Sequence, residues 1–309
     1  MLIACLPNLT RLNLSGGRAF RCIPLPALRA AHVTSLSIRA IDFSCSFGSV
    51  DNCLSGIFEL ALPSLTTLSL GIPGGSSLRS VANVVPPSLR HLYITGEEPQ
   101  EADLAALLSR CVILETFVLE TAGRPCIPFL PPEPVKHLIG NRENLRALHL
   151  DFTVPFWSVQ PEFMNETFLT ELTPQLRHFP VLQSLFLNTA AVYGAGHDLD
   201  EGLIVPLGKI LPPSIVSLTM AENDLVSPRL ANLAADLRQI AEAARKGQFP
   251  RLKTVVCDTP GPLEDGGLGD LFAKAGVDFR YEDRLFSGGA YRLSTRMRWA
   301  KAADLTSTE

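Results

Sequence analysis

Apolar residues recur along this chain in a six-residue pattern, LxxLxL, whose last four positions alternate between polar and apolar. The copies are LTRLNL (9–14), VTSLSI (33–38), LTTLSL (65–70), LRHLYI (89–94), LETFVL (114–119), LRALHL (145–150), LQSLFL (182–187), IVSLTM (215–220) and LKTVVC (252–257). Alternation at period two predicts a strand at each copy, with the second and third anchors on one face and the intervening residues on the other. A tenth, degenerate strand is expected over residues 277–281. Between copies the period changes. Leu104, Leu107, Leu108 and Cys111 fall at i, i+3, i+4 and i+7, and Leu230, Leu233, Leu237, Ile240 and Ala244 form one stripe, so both stretches are predicted helices. The second has Ser227 as its expected N-cap, Pro228 at its first turn and Gly247 just past its end.

Each unit is therefore a strand followed by a helix or loop, and the copies start 24, 32, 24, 25, 31, 37, 33 and 37 residues apart. One such unit cannot bury three anchors alone; stacked neighbours share a continuous ladder of them. A sheet covered on both faces would have nearly all-apolar strands. These strands alternate, which predicts one open face. Pro7, Pro63, Pro87, Pro180, Pro213 and Pro250 each stand two residues before a first anchor, where a fixed φ and a missing N–H end the preceding segment and deliver the chain to its strand.

The same offset assigns the outward residues. The central outward column reads Asn13, Ser37, Ser69, Tyr93, Val118, His149, Phe186, Thr219 and Val256, flanked by Arg39, Thr95, Glu120, Asp151, Asn188 and Asp258. Large side chains with a polar rim, on successive repeats, have the composition of an interaction hot spot. The candidate partner-binding residues are thus Tyr93, Val118, Glu120, His149, Asp151, Phe186 and Asn188.

Strand plus helix with LxxLxL resembles the leucine-rich repeat superfamily over roughly residues 9–281, and residues 218–225, LTMAENDL, come nearest to its full pattern with the Asn. The irregular spacing, the preceding prolines and the closing LGDLFAKAGVDFRYE (268–282) are similar to the recognition region of fungal F-box proteins. The resemblance implies an α/β leucine-rich repeat solenoid, a horseshoe with a parallel concave β-sheet and convex helices and loops, in nine or ten irregular repeats. On that reading residues 1–282 are one repeat domain, with a final degenerate repeat at 264–282, and residues 283–309 are a C-terminal tail. It also implies a protein partner on the concave face. The F-box itself is absent, since the first anchor is Leu9, so a role in recognising substrates for a ubiquitin ligase, through its adaptor, requires an F-box upstream. The alternative is a structural or regulatory scaffold unconnected with ubiquitin.

Composition narrows the classes. Of 309 residues 46% are hydrophobic, which excludes a disordered chain. With 27 Lys plus Arg against 31 Asp plus Glu, the net charge of −4 leaves neither nucleic acid nor membrane as an expected partner. Seven cysteines, odd in number and never in CxxC spacing, point to thiols in a reducing, intracellular compartment, and the N-terminus lacks a signal peptide's basic and apolar regions. Residues 60–78 are uncharged, but their Pro and Gly read as strand and turn rather than a membrane span.

Enzyme chemistry and cofactors find no support in the sequence. His149 and Asp151 share a strand face, yet the one hydroxyl near them, Ser184, lacks an evident activating arrangement. The six histidines show no metal-ligand spacing, and no metal or other cofactor is expected. The acidic, Gly-rich run 264–270 has neither P-loop lysine nor EF-hand spacing, and reads as a helix-opening turn with Asp265 as cap. The basic stretch 284–301 reads as a solvated end.

Overall fold

Every described copy of the hydrophobic pattern becomes a strand. The computed structural model describes residues 10–15, 34–39, 64–72, 78–96, 99–122, 132–153, 176–193, 206–221, 229–257 and 267–282. The strands are β1 (Arg11–Ser15), β2 (Ser35–Arg39), β3 (Thr67–Ile72), β4 (His91–Gly96), β5 (Thr116–Ala122), β6 (Ala147–Thr153), β7 (Ser184–Asn188), β8 (Ser217–Ala221), β9 (Thr254–Cys257) and the degenerate β10 (Asp278–Tyr281). Between them run α1 (Arg79–Val84), α2 (Glu101–Arg110), α3 (Pro132–His137), α4 (Thr189–Tyr193), α5 (Leu207–Ile210), α6 (Arg229–Arg245) and α7 (Leu268–Lys274).

The chain divides into two compact units. One comprises residues 1–145 with 150–163, the other 146–149 with 164–309, the division falling within β6. In the first unit β1 to β5 pair in chain order, all parallel. In the second β7 to β10 do the same. Each unit is an open α/β layer in which neighbours in sequence are neighbours in the sheet, as strand-plus-helix repeats require. Residues 60–78 contribute β3, and no helix among the described residues is long and apolar enough to cross a membrane.

The predicted anchors form the core. From Leu65 to Cys257, the three anchors of each of seven copies are buried, including Leu68, Leu92, Phe117, Leu148, Leu185, Leu218 and Val255. In the first two copies the described side chains are Thr10, Arg11, Thr34 and Ser35, none of them an anchor. Burying one such side chain contributes about 1.5–3 kcal/mol. The helices close the other side of this layer: α2 buries Leu104, Leu107 and Leu108, and α6 buries Leu233, Leu237 and Ile240.

The joint between neighbouring repeats is a backbone motif. At β1 to β4 and β6 to β8 the carbonyl just before the strand accepts two N–H groups from the next repeat, and Lys253, before β9, accepts the Asp278 N–H. Thr66 takes Arg90 and His91 at 2.9 Å each, Arg90 takes Glu115 and Thr116 at 2.8 and 3.0 Å, and Gln183 takes Val216 and Ser217 at 2.7 and 2.9 Å. Polar side chains add staples on the helical side. Asp103 Oδ2 accepts the Leu78 N–H at 3.1 Å, Asn141 Oδ1 accepts the Leu114 N–H at 3.0 Å, and the Ser214 hydroxyl donates to the Leu182 carbonyl at 2.7 Å. In the second unit Asp236 Oδ2 accepts both the Leu207 N–H at 2.8 Å and the Tyr193 hydroxyl at 2.9 Å, joining α4, α5 and α6.

Gly247 ends α6 as expected. At φ 79° its N–H reaches the Ala244 carbonyl while the Gln248 N–H reaches that of Ala243, a Schellman closure that a β-carbon would strain. Gly276 closes α7 the same way, with φ 72°. The expected cap residues Ser227, Pro228 and Asp265 lie outside the described residues, as does the tail 283–309. At the start of α7 the N-cap is Gly267, with no side-chain hydrogen bond.

Candidate functional site

Alternation delivers the outward column, and strand pairing sets its register. In the first unit Ser69, Tyr93 and Val118 stand side by side on β3, β4 and β5, with Gly71, Thr95 and Glu120 in the next row. In the second unit Phe186, Thr219 and Val256 align, and Asn188 lies beside Ala221. His149 and Asp151, two residues apart on β6, point to one face of that strand.

The expected open face is found only in part. Along β4 burial alternates: Leu92 and Ile94 are buried while His91, Tyr93 and Thr95 remain half-exposed. One strand further on, the pattern stops alternating. Val118 and Glu120 are 4% and 3% exposed, Asp151 5%, His149 2%, Phe186 1% and Asn188 0%. Every residue of β7 is buried, which corrects the expectation of an open face there. The physical reason is legible in the outward residues themselves: Val118, Phe186 and Val256 gain from leaving water, and they sit where a solvated face would carry polar groups.

Of the seven candidate residues, Tyr93 alone keeps substantial exposure. In the first unit it lies within a small polar surface made of Thr67, Ser69, His91 and Thr95. The His91 Nδ1 is 3.0 Å from the Thr116 hydroxyl on β5, and Arg90 and Glu115, one residue earlier on each strand, form an ion pair. In the second unit the His149 ring stacks on Phe186 with centroids 3.7 Å apart and planes 5° from parallel. That contact fixes the imidazole plane and shields one of its faces from water. Glu120 and Asp151 in the first unit and His149 in the second are all buried. Ser184 is buried on β7.

Of the seven cysteines, Cys111 and Cys257 lie among the described residues, and both are buried. Desolvation pushes the Cys111 thiol up to about 12, and its Sγ donates to the Leu107 carbonyl at 3.3 Å, which is the behaviour of a core side chain rather than a nucleophile.

The structure has known counterparts at the level of the fold. A crystal structure of a protein from Bacteroides fragilis matches with a TM-score of 0.52 at 12% sequence identity, over 89% of this chain and 74% of that one. At that identity the likeness carries the architecture alone. No family model matches the sequence, and no curated protein does.

Proposed function

We propose that this chain is a non-catalytic leucine-rich repeat module, a solenoid that recognises a protein partner through its outward strand face. The observation that carries the reading is the anchor ladder: nine LxxLxL copies in sequence, with their described anchors buried and their strands parallel and in chain order within each unit. Such repeats present side chains from successive strands as one surface, and that is their usual use. Burial focuses recognition on the first unit, where Ser69, His91, Tyr93 and Thr95 retain solvent contact. Val118, Glu120 and Asp151 in the first unit, and His149, Phe186 and Asn188 in the second, are too deeply buried to touch a partner.

The finer reading places the module as the substrate-recognition part of an intracellular ubiquitin ligase, with an F-box upstream of the present sequence. It rests on the irregular repeat spacing, the prolines before the strands and the closing helix and strand. Affinity capture coupled to quantitative mass spectrometry tests both levels. Tyr93→Ala combined with Ser69→Arg should reduce recovery of specific partners at least about tenfold, the effect of losing ~1.4 kcal/mol at a hot spot. Equal recovery would refute the first-unit surface, and absence of the ligase adaptor from captures with the full gene product would refute the ligase role.

A further inference from the structure

The edge of the second unit at which its parallel strands begin collects positive charge. Parallel strands share one starting edge, and the helices that run back bring their C-terminal ends to it. Arg146 precedes β6, Arg177 lies in the turn before β7, Lys209 is in α5 before β8, and Lys246, Arg251 and Lys253 lie between α6 and β9; all six are exposed. Backbone bonds fix their spacing. The Arg146 carbonyl holds the Gln183 and Ser184 N–H groups, Gln183 holds Val216 and Ser217, and Val216 holds Lys253 and Thr254. Arg146 and Lys253 are thus three rungs apart, about 14 Å at roughly 4.8 Å per strand.

Among the described residues no ion pair neutralises this charge. Among the described residues the ion pairs are Arg90–Glu115, His137–Glu101, Arg142–Glu143 and Arg280–Asp278, and none uses these six cations. The nearby described carboxylates are Glu143, which is held by Arg142, Glu242, in the last turn of α6, and Asp278, which is held by Arg280. Favourable placement at a helix C-terminus accounts for Lys209. It does not account for Arg146, Arg251 or Lys253, which lie outside helices. In a chain of net charge −4 such clustering is not a by-product of composition. The rungs lie within a Debye length of about 8 Å of their neighbours, so the cations act together on a ligand at the edge.

We infer that this edge docks an acidic segment of a protein partner, a short run rich in Asp and Glu. The inference rests on the protein-recognition reading and adds a second, electrostatic contact to it. A protein segment fits better than nucleic acid for two reasons. The described aromatic side chains at this edge, Phe179 and Phe249, are buried and offer no platform for bases. A long polyanion would also run beyond the basic edge onto a chain that is acidic overall, whereas a short segment meets the cations alone.

Fluorescence anisotropy with a labelled dodecapeptide of alternating Glu and Ser tests this on the full chain. Binding should weaken at least about tenfold when salt rises from 50 to 300 mM, and Arg146→Glu with Arg251→Glu and Lys253→Glu should weaken it at least about tenfold at low salt. Arg238→Glu, on the exposed side of α6 away from this edge, should leave it unchanged. The triple variant alters exposed side chains, and an unchanged circular dichroism melt establishes that it folds. Equal binding by the triple variant, or tighter binding of an oligouridylate of matched charge, would overturn the inference. If the edge fails while Tyr93-dependent capture persists, the recognition module stands without it; loss of that capture is the separate failure of the module reading.

Discussion

Asp236 gives the sharpest test of how the second unit is held together. Its carboxylate is buried in the apolar stripe of α6, and one oxygen accepts from both Tyr193 and the Leu207 backbone. In Asp236→Ala the Tyr193 hydroxyl and the Leu207 N–H, both belonging to buried residues, lose their acceptor. Leaving a buried donor unsatisfied costs about 1–3 kcal/mol, so two of them predict a loss of about 2–6 kcal/mol. Asp236→Asn keeps an acceptor oxygen and should cost under about 1.5 kcal/mol. Burial raises the Asp236 pKa above its ordinary value, outweighing the two hydrogen bonds that lower it. A folded-state pKa raised in this way stabilises the protein most below the unfolded pKa, and that contribution is lost as pH rises through the folded value. Wild type should therefore lose stability relative to Asp236→Asn as pH climbs out of the acid range, and level off once the carboxylate is ionised. Urea unfolding at a series of pH values reads both effects, and amide exchange at Leu207 localises them. A cost for Asp236→Ala below about 1 kcal/mol, with Leu207 exchange unchanged, would refute the staple.

Two further outcomes follow from the core. Leu148→Ala removes a fully buried anchor from β6 and should cost about 2–5 kcal/mol; a chemical-denaturation shift under about 0.5 kcal/mol would contradict the assigned register. Cys111 should resist iodoacetamide at pH 8 in the native protein, at least about a hundredfold more slowly than after unfolding, because its thiol stays protonated and buried. The peptide over residues 111–136 reports it by mass spectrometry, with fragment ions separating Cys111 from Cys126, and equal labelling rates at Cys111 in the two states would contradict the burial.

The repeats were readable in the sequence because their energetics are local and repeated: an aliphatic residue at three fixed positions, alternation within each strand, and a proline before many of them. The Gly247 closure was readable too, since a left-handed residue after a helical stripe has few solutions other than glycine. The buried outward residues were not. Alternation assigns Glu120, His149 and Phe186 to a face but says nothing about whether that face meets water, and the apolar Val118, Phe186 and Val256 were the one available signal. The staples were equally hard to read. Asp103 and Asp236 interrupt apolar stripes, and their partners, the Leu78 N–H for the one and the Leu207 N–H and Tyr193 hydroxyl for the other, come from the preceding repeat. The basic edge was hidden by its scatter, because Arg146 and Lys253 are distant in sequence and become neighbours through the intervening rungs.

The carbonyl joint between repeats makes the chain tolerant of drift. Its acceptors are backbone carbonyls and its principal donors backbone N–H groups, with the Thr34 and Thr66 hydroxyls added at two joints, and the positions that supply the carbonyls range from Thr10, Thr34 and Thr66 through Gln183 and Val216 to Arg90, Arg146 and Lys253. Substitution there leaves the joint intact while changing what the edge displays. An architecture built on such joints can be inherited long after its surface has diverged, and its ligands can change without renegotiating the framework.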